Sequence, residues 1–265
     1  MTGDSAAPIL GRPLSECEDS MSDVLTLLQS HRSIRRFRPD PLPDGLLETI
    51  VRCGQQAASS SNIQAYRIIH VTDAGLRAQL AELAGQQEYV RLAPVFLVFC
   101  ADLHRAQKVC DRVGPPFVPG MTEHFIIATV DTALCGQNCV VAAESQGLGC
   151  CYIGAVRNHP AEISALLALP EQVYPLFGLC IGYPDQEVEV KPRLPLAAVL
   201  QENRYSEEHD EERIAEYDAA MQAYYQSRSD HRKDSTWSRE IAALAGREAR
   251  PHMAAFLRER GFLKR

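Results

Sequence analysis

Residues 122–146 are apolar on nearly every side and stop at Gly147, which predicts a single helix of about 25 residues, ~38 Å long. A helix at the surface of a folded chain carries one apolar stripe and a polar back; one that is apolar nearly all round has no face to offer water. Such a helix belongs either at the centre of a large core or between two subunits, and a dimer is the simplest arrangement that satisfies it. No window approaches the ~18 consecutive apolar residues of a membrane span, and the N-terminus lacks a basic start followed by an apolar core, so the expected location is cytoplasmic.

Other elements arrange themselves around this helix. Residues 66–71, 94–100, 150–153 and 176–183 read as strands, the second and last as continuous apolar runs. Residues 74–83 and 161–169 read as helices, giving a mixed α/β layer. Ahead of them, Met21, Val24, Leu25 and Leu28 have the spacing of an amphipathic helix. Pro39, Pro41 and Pro43 interrupt the chain, and Asp44 is placed to cap a helix running through Leu46, Leu47, Ile50 and Val51 to about Ala58. Residues 114–120 form a proline-rich loop. Beyond Leu200 come an acidic helix-prone stretch at 207–218, a basic loop at 228–233, and helices at 237–245 and 251–260; this tail either packs on the core or wraps a neighbouring subunit. Residues 1–20 lack periodicity and read as a disordered extension. The expected division is therefore 1–20, a core over 21–200, and a helical extension over 201–265.

With 265 residues, 46% hydrophobic and 23% charged, the chain has ordinary globular composition. A net charge of −7 argues against a general nucleic-acid binder, so any phosphate must be gripped locally. The nine cysteines sit mostly in apolar runs without paired metal-ligand spacing. Cys135 and Cys139 are one helical turn apart and Cys150 and Cys151 are adjacent, yet no further ligands accompany either pair. They read as buried thiols, and no metal is expected.

The candidate grip is His31-Arg32-Ser33-Ile34-Arg35-Arg36, where three guanidinium groups crowd an imidazole and a hydroxyl. A second, Lys191-Pro192-Arg193, lies far downstream, and Ser59-Ser60-Ser61-Asn62 with Gln64 falls between them. The first run has a simpler reading, as cations complementing a helix dipole on a solvated face. There is no Gly-x-Gly-x-x-Gly, no Walker loop and no serine nucleophile elbow. What the groups suit is flavin mononucleotide: Arg and Lys for the phosphate, Ser33 and Gln87 for the ribityl chain, and Lys191 or Arg193 near the N1–C2=O edge, where a cation stabilises the reduced ring.

Six motifs, in order over residues 22–265, resemble the group A oxygen-insensitive NADPH nitroreductases of the nitroreductase superfamily, which include the flavin reductase P type. They are His31-Arg32-Ser33-Ile34-Arg35, Ser59-Ser60-Ser61, Gly85-Gln86-Gln87, Tyr152-Ile153-Gly154, Pro175-Leu176-Phe177-Gly178 and Lys191-Pro192-Arg193-Leu194-Pro195. The resemblance implies an α+β nitroreductase fold with a central mixed sheet flanked by helices and a C-terminal helical extension. It also implies a homodimer with FMN at the subunit interface, and ping-pong two-electron transfer from NADPH to nitroaromatics, quinones or free flavin. By the same resemblance His31, Arg32, Ser33, Arg35, Ser59, Gln87, Tyr152, Ile153, Gly154, Lys191 and Arg193 touch FMN, while Ser61, Asn62 and Arg250 line the acceptor pocket. For Ser60, Ser61 and Gln64 a turn role stands beside the binding one. Arg228, Arg232 and Lys233 resemble the segment that recognises the 2′-phosphate of NADPH, or form a solvated charged loop. Relatives often have a bulky apolar or aromatic residue at Asn62 and glycine within Cys150-Cys151 and at Ala155, departures that bear on the space beside the ring. No side-chain acid or base is obligatory. Two other functions fit these residues: a flavin reductase feeding reduced FMN to a partner monooxygenase, and a flavin-binding protein that does not turn over.

Overall fold

The computed structural model describes residues 23–228 and 232–265. The extension expected at 1–20 lies outside the described residues, as do Ser229, Asp230 and His231 of the basic loop. A first unit, ending at His31, contains α1 (Asp23–Gln29); Arg32–Arg265 form a second. Of the stripe predicted there, Met21 lies outside the described residues and Val24, Leu25 and Leu28 on α1 are exposed, and the last turn carries no basic residue. The dipole reading of the arginine run thus loses its footing, because the helix stops short of the cations.

The second unit is built on four strands, β1 (Tyr66–His70), β2 (Val95–Asp102), β3 (Gly149–Ile153) and β4 (Val173–Gly182), in the order β1-β2-β4-β3. All eight residues of β2 are buried, as its unbroken apolar sequence requires of a strand covered on both faces. Alternation then sorts its side chains. Phe96, Val98 and Cys100 pack on one side with Leu80, Val90, Ile153 and Ile163; Val95, Leu97 and Phe99 pack on the other with Ile50, Cys135, Cys139 and Val140. The first side is covered by α3 (Ala74–Leu83), α4 (Glu88–Leu92) and α7 (Pro160–Leu166), the second by α2 (Leu46–Gln55) and α6 (Thr122–Glu144). The result is helix on sheet on helix.

The sheet differs from the mixed one expected. Its four strands pair antiparallel throughout, and the parallel pairing among the described residues is the single bridge between Ser33 and Cys150. The cap expected of Asp44 is also corrected: Gly45, at φ 77°, precedes the first turn of α2, and no side chain caps it. A left-handed residue suits glycine and leaves no role for the neighbouring carboxylate. α4 and α5 (His104–Val113) are helices that the pattern did not announce.

α6 is the one helix among the described residues long and apolar enough to cross a membrane by length and composition. Its burial is one-sided. Ala128, Asp131, Thr132, Cys135, Gly136, Cys139, Val140 and Ala143 face inward at helical spacing, while Ile126, Val130 and Leu134 are 47%, 48% and 41% exposed. Half of the helix that cannot face water is thus covered within one chain.

Of the two arrangements expected for the tail, the described residues show packing on the core for its last part. Phe256 and Leu257 of α11 (Met253–Glu259), with Phe262, enter a cluster with Tyr174, Leu103 and Ala128, so the chain end packs on the core. α9 (Asp210–Ser227) and α10 (Trp237–Ala245) instead form a small cluster of their own, Tyr217, Met221 and Tyr225 against Trp237 and Leu194. The intervening short helix α8 (Leu196–Val199) leaves Leu196 and Val199 exposed.

Candidate functional site

The arginine run is fixed by backbone pairing. The Ile34 amide donates to the Cys150 carbonyl at 2.9 Å, the Arg38 amide to the Tyr183 carbonyl at 2.9 Å, and the Arg35 and Arg36 amides both donate to Gln186 Oε1, at 3.1 and 2.7 Å. Gly149 lets this segment lie flat on β3, since a Cβ there would stand 2.5 Å from Ile34 Cγ1. Ile34 is buried by this docking while Arg32, Ser33, Arg35 and Arg36 remain exposed. With Ile34 turned inward, the exposed Arg35 beside it points away from the core.

The Arg35 side chain reaches the Tyr89 hydroxyl on α4, a residue whose pKa burial raises. It also lies near Lys191. The Lys191 ammonium is held below its ordinary value by burial first, and then by Arg228, Lys233, Arg193 and Arg35. Five cations from three separate segments therefore converge. Among the described residues, Lys233 is the one of the five with a carboxylate partner, Glu240 at 2.6 Å. Tyr225 ties two of them together, its ring lying 5.7 Å from Lys191 Nζ and 4.4 Å from Lys233 Nζ. Arg232 folds back to donate from Nε to the Arg228 carbonyl at 2.8 Å.

Gln87 immediately precedes α4, and its Oε1 is buried without a hydrogen-bond partner. An unpaired buried acceptor costs about 1–3 kcal/mol, so such an atom calls for a donor. The preceding turn carries Gly85 at φ 81° and Gln86 at φ 56°, and a Cβ on Gly85 would touch Asn158. Asn158 in turn accepts from Arg250 Nε at 2.9 Å. On β3, Ile153 is buried, Gly154 opens a 3-10 turn (Gly154–Arg157), and Tyr152 is 41% exposed with its hydroxyl donating to Gln137 at 3.2 Å. The Tyr152 ring stands edge-on to Phe177 at 5.0 Å, and burial pushes its hydroxyl pKa up.

Ser59-Ser60-Ser61-Asn62 is built against α6 rather than in the cation cluster. Ser59 Oγ donates to Asp131 Oδ2 at 2.6 Å and accepts the Gln64 amide at 2.7 Å, so both functions of the hydroxyl are engaged. Ser61, Asn62 and Gln64 all have positive φ, at 48°, 55° and 51°. The turn reading of this run is realised, and Ser61 and Asn62 stand exposed at its tip. The sequence reading passed over Asp131, Tyr89, Gln186 and Tyr225. For Asp131 a signal existed: it is the one charged residue between Glu123 and Glu144 in an otherwise apolar helix. The other three carried none, because only folding brings them to the arginine and lysine runs.

The arrangement fits a flavin mononucleotide: a dianion suits a cluster of five cations in which one carboxylate, Glu240, pairs with Lys233, and the buried, unpartnered Gln87 Oε1 is an acceptor suited to a ring or ribityl donor. Eight described cysteines are free thiols, and no group of three or more metal-ligating side chains exists among the described residues.

Known families, proteins and solved structures resemble this chain. Residues 28–183 match the profile described as the nitroreductase family, and residues 191–265 match that of the nitroreductase family C-terminal domain. The chain is 44% identical over 245 residues to an NADPH-flavin oxidoreductase of Vibrio harveyi, covering 92% of this chain and 100% of that protein. It is 41% identical to an oxygen-insensitive NADPH nitroreductase of Salmonella typhimurium over 245 residues, again 92% and 100%. The crystal structure of nitroreductase A from Vibrio parahaemolyticus superimposes with a TM-score of 0.86 at 42% identity, covering 93% of this chain and 100% of that one. Matching motifs, matching fold and identity along nearly the whole length lead to one conclusion: the chain belongs to the nitroreductase family.

Proposed function

We propose that the protein is an FMN-dependent NADPH oxidoreductase that reduces nitroaromatics, quinones or free flavin by two-electron ping-pong transfer. The observation that carries this reading is the grouping of Arg35, Arg193, Arg228 and Lys233 around Lys191, and the buried, unpartnered Gln87 Oε1 is a second, separate feature that suits the same ligand. The names of the relatives, NADPH-flavin oxidoreductase and oxygen-insensitive NADPH nitroreductase, agree with it. FMN, when bound, would supply the two-electron redox chemistry between NADPH and the acceptor. This chain's residues bind and orient. Lys191, Arg193 and Arg35 hold the flavin phosphate, with Arg32 and Ser33 on the same segment as Arg35; Gln87 accepts from the flavin; Tyr152, Ile153 and Gly154 border the ring; and Arg228, Arg232 and Lys233 select the 2′-phosphate of NADPH. Ser59 shapes the loop whose tip, Ser61 and Asn62, lines the acceptor pocket with Arg250.

The working unit in this reading is a homodimer. The exposed Ile126, Val130 and Leu134 stripe on α6, with Leu196, Val199 and Leu200 nearby in sequence to the Lys191 grip, supplies apolar surface in need of a partner. Residues 21–200 form its FMN-binding core and 201–265 its extension. Eight free described cysteines suit a reducing cytoplasm.

The test is an anaerobic titration of the purified protein with NADPH and with NADH. A yellow preparation that bleaches preferentially with NADPH and reoxidises on a quinone or nitroarene is expected. A colourless preparation that fails to take up FMN refutes the reading. The flavin-reductase alternative shares the first half-reaction, and turnover on free FMN against turnover on a nitroarene separates the two.

A further inference from the structure

Asp131 is a carboxylate with 1% exposure in the middle of the apolar helix α6, and the flavin-binding residues proposed above make no use of it. A buried charge is tolerated only when its lone pairs are satisfied. All of its described hydrogen bonds come from one loop. Oδ2 accepts from Ser59 Oγ at 2.6 Å and from the Ala65 amide at 3.1 Å, and Oδ1 accepts from the Ser60 amide at 3.1 Å. The loop is thus pinned at both ends by one side chain, and Ser59 Oγ, accepting the Gln64 amide, adds a cross-tie.

Between the pins the backbone is held where side chains rarely sit, with Ser61, Asn62 and Gln64 at positive φ. Gln64 Nε2 braces the tip by donating to the Asn62 carbonyl at 3.3 Å and Asn62 Oδ1 at 3.2 Å. Such backbone persists only when its surroundings over-determine it. Asparagine tolerates the left-handed region better than a bulky side chain does, which gives the departure at Asn62 a physical reason.

We propose that Asp131 is a positioning residue for acceptor selection: by accepting three loop hydrogen bonds it sets the shape of the Ser61-Asn62 tip, and through it which acceptors fit. This deepens the functional reading above and rests on the place given there to Ser61 and Asn62. The carboxylate is specifically required. A carboxamide has one accepting oxygen and one donating nitrogen, so in any orientation Asp131→Asn sets its NH2 against at least one of the three donors.

The experiment compares wild type, Asp131→Asn and the milder Ser59→Ala, which removes one pin and keeps the two amides. Two readouts are taken. Amide hydrogen exchange at Ser60 and Ala65, followed without any acceptor, is expected to accelerate in Asp131→Asn; retained protection overturns the proposal. The ratio of kcat/KM for a single-ring nitroarene to that for a naphthoquinone is expected to move about tenfold, as misplacement of a positioning group does, and by less in Ser59→Ala. A common fall for both acceptors, or an unchanged ratio, marks a merely structural role and overturns it. If Asp131→Asn does not fold, Ser59→Ala decides by the same two readouts. Wild type that binds no FMN would refute the functional reading instead, a failure visible before any variant is made.

Discussion

Gly136→Ala is the substitution whose outcome can be worked furthest from the structure. Gly136 lies on the inner face of α6, where a Cβ would stand 2.6 Å from Phe177 Cζ and 2.9 Å from Cε2. Carbon contacts ordinarily settle at ~3.5–4.0 Å, so the ring edge must retreat by about 1 Å. It has little room to do so. Phe177 is stacked on Phe99 at 5.1 Å and meets Tyr152 edge-on at 5.0 Å. Overpacking of this kind costs about 1–3 kcal/mol, and a disturbed aromatic pair adds about 0.5–1.5 kcal/mol. Against this, replacing a helical glycine by alanine gains about 1 kcal/mol. The overpacking wins, and the net expectation is a loss of about 0.5–3.5 kcal/mol. Combining it with Phe177→Leu relieves the clash, so the double variant should be more stable than the sum of singles by about 1–3 kcal/mol. Urea unfolding at fixed protein concentration and saturating FMN, which hold ligand and subunit linkage constant, measures the cycle. A Gly136→Ala protein as stable as wild type, or a cycle additive within about 0.5 kcal/mol, would refute the packing argument.

Three further outcomes are expected. Gln87→Leu removes the unpaired Oε1 and should stabilise the FMN-free protein by about 1 kcal/mol while weakening FMN binding; if fluorescence titration shows unchanged affinity, Gln87 does not face the flavin. Lys191 has a folded-state pKa below its unfolded value of 10.5, so between the two the native state holds fewer protons and stability rises with pH across that window. A bound phosphate restores the charge, so FMN binding in that alkaline range should take up protons, and Lys191→Met should abolish the uptake; calorimetric heats independent of buffer ionisation enthalpy would contradict this. Val130→Glu with Leu134→Glu places two charges on the exposed stripe of α6 and, under the proposed homodimer, should yield monomers that bind FMN poorly, as read by light scattering and by the flavin spectrum; a mass equal to that of wild type would refute the interface proposed on this stripe.

The parts of the fold legible in the sequence are those governed by local period. The all-apolar runs gave β2 and β4, and alternation along β2 sorted its residues between two cores. The helix at 74–83 and that at 237–245 fall on the predicted residues, with Asp73 and Thr236 each capping by a side-chain oxygen. α5 escaped notice because HRAQKVCDRV offers few apolar positions, and none of its residues is buried. Asp44 misled because a carboxylate before a helix is a common cap, whereas here Gly45 supplies a left-handed turn instead.

What the sequence determined by itself was chemistry in short range: an arginine run, a Lys-Pro-Arg grip, a serine turn, and a helix too apolar to stand alone. Motif order was enough to indicate the family. Only the tertiary structure decided which of these meet. It brought Arg35, Lys191, Arg193, Arg228 and Lys233 together from segments some forty to nearly two hundred residues apart, and it sent the serine run to Asp131 on the opposite layer of helices. The reason is that charge and hydrogen-bonding capacity belong to a residue, while proximity belongs to the packing of strands and helices, and Asp131 shows both: its type was visible in the sequence, but its three donors exist only in the folded chain.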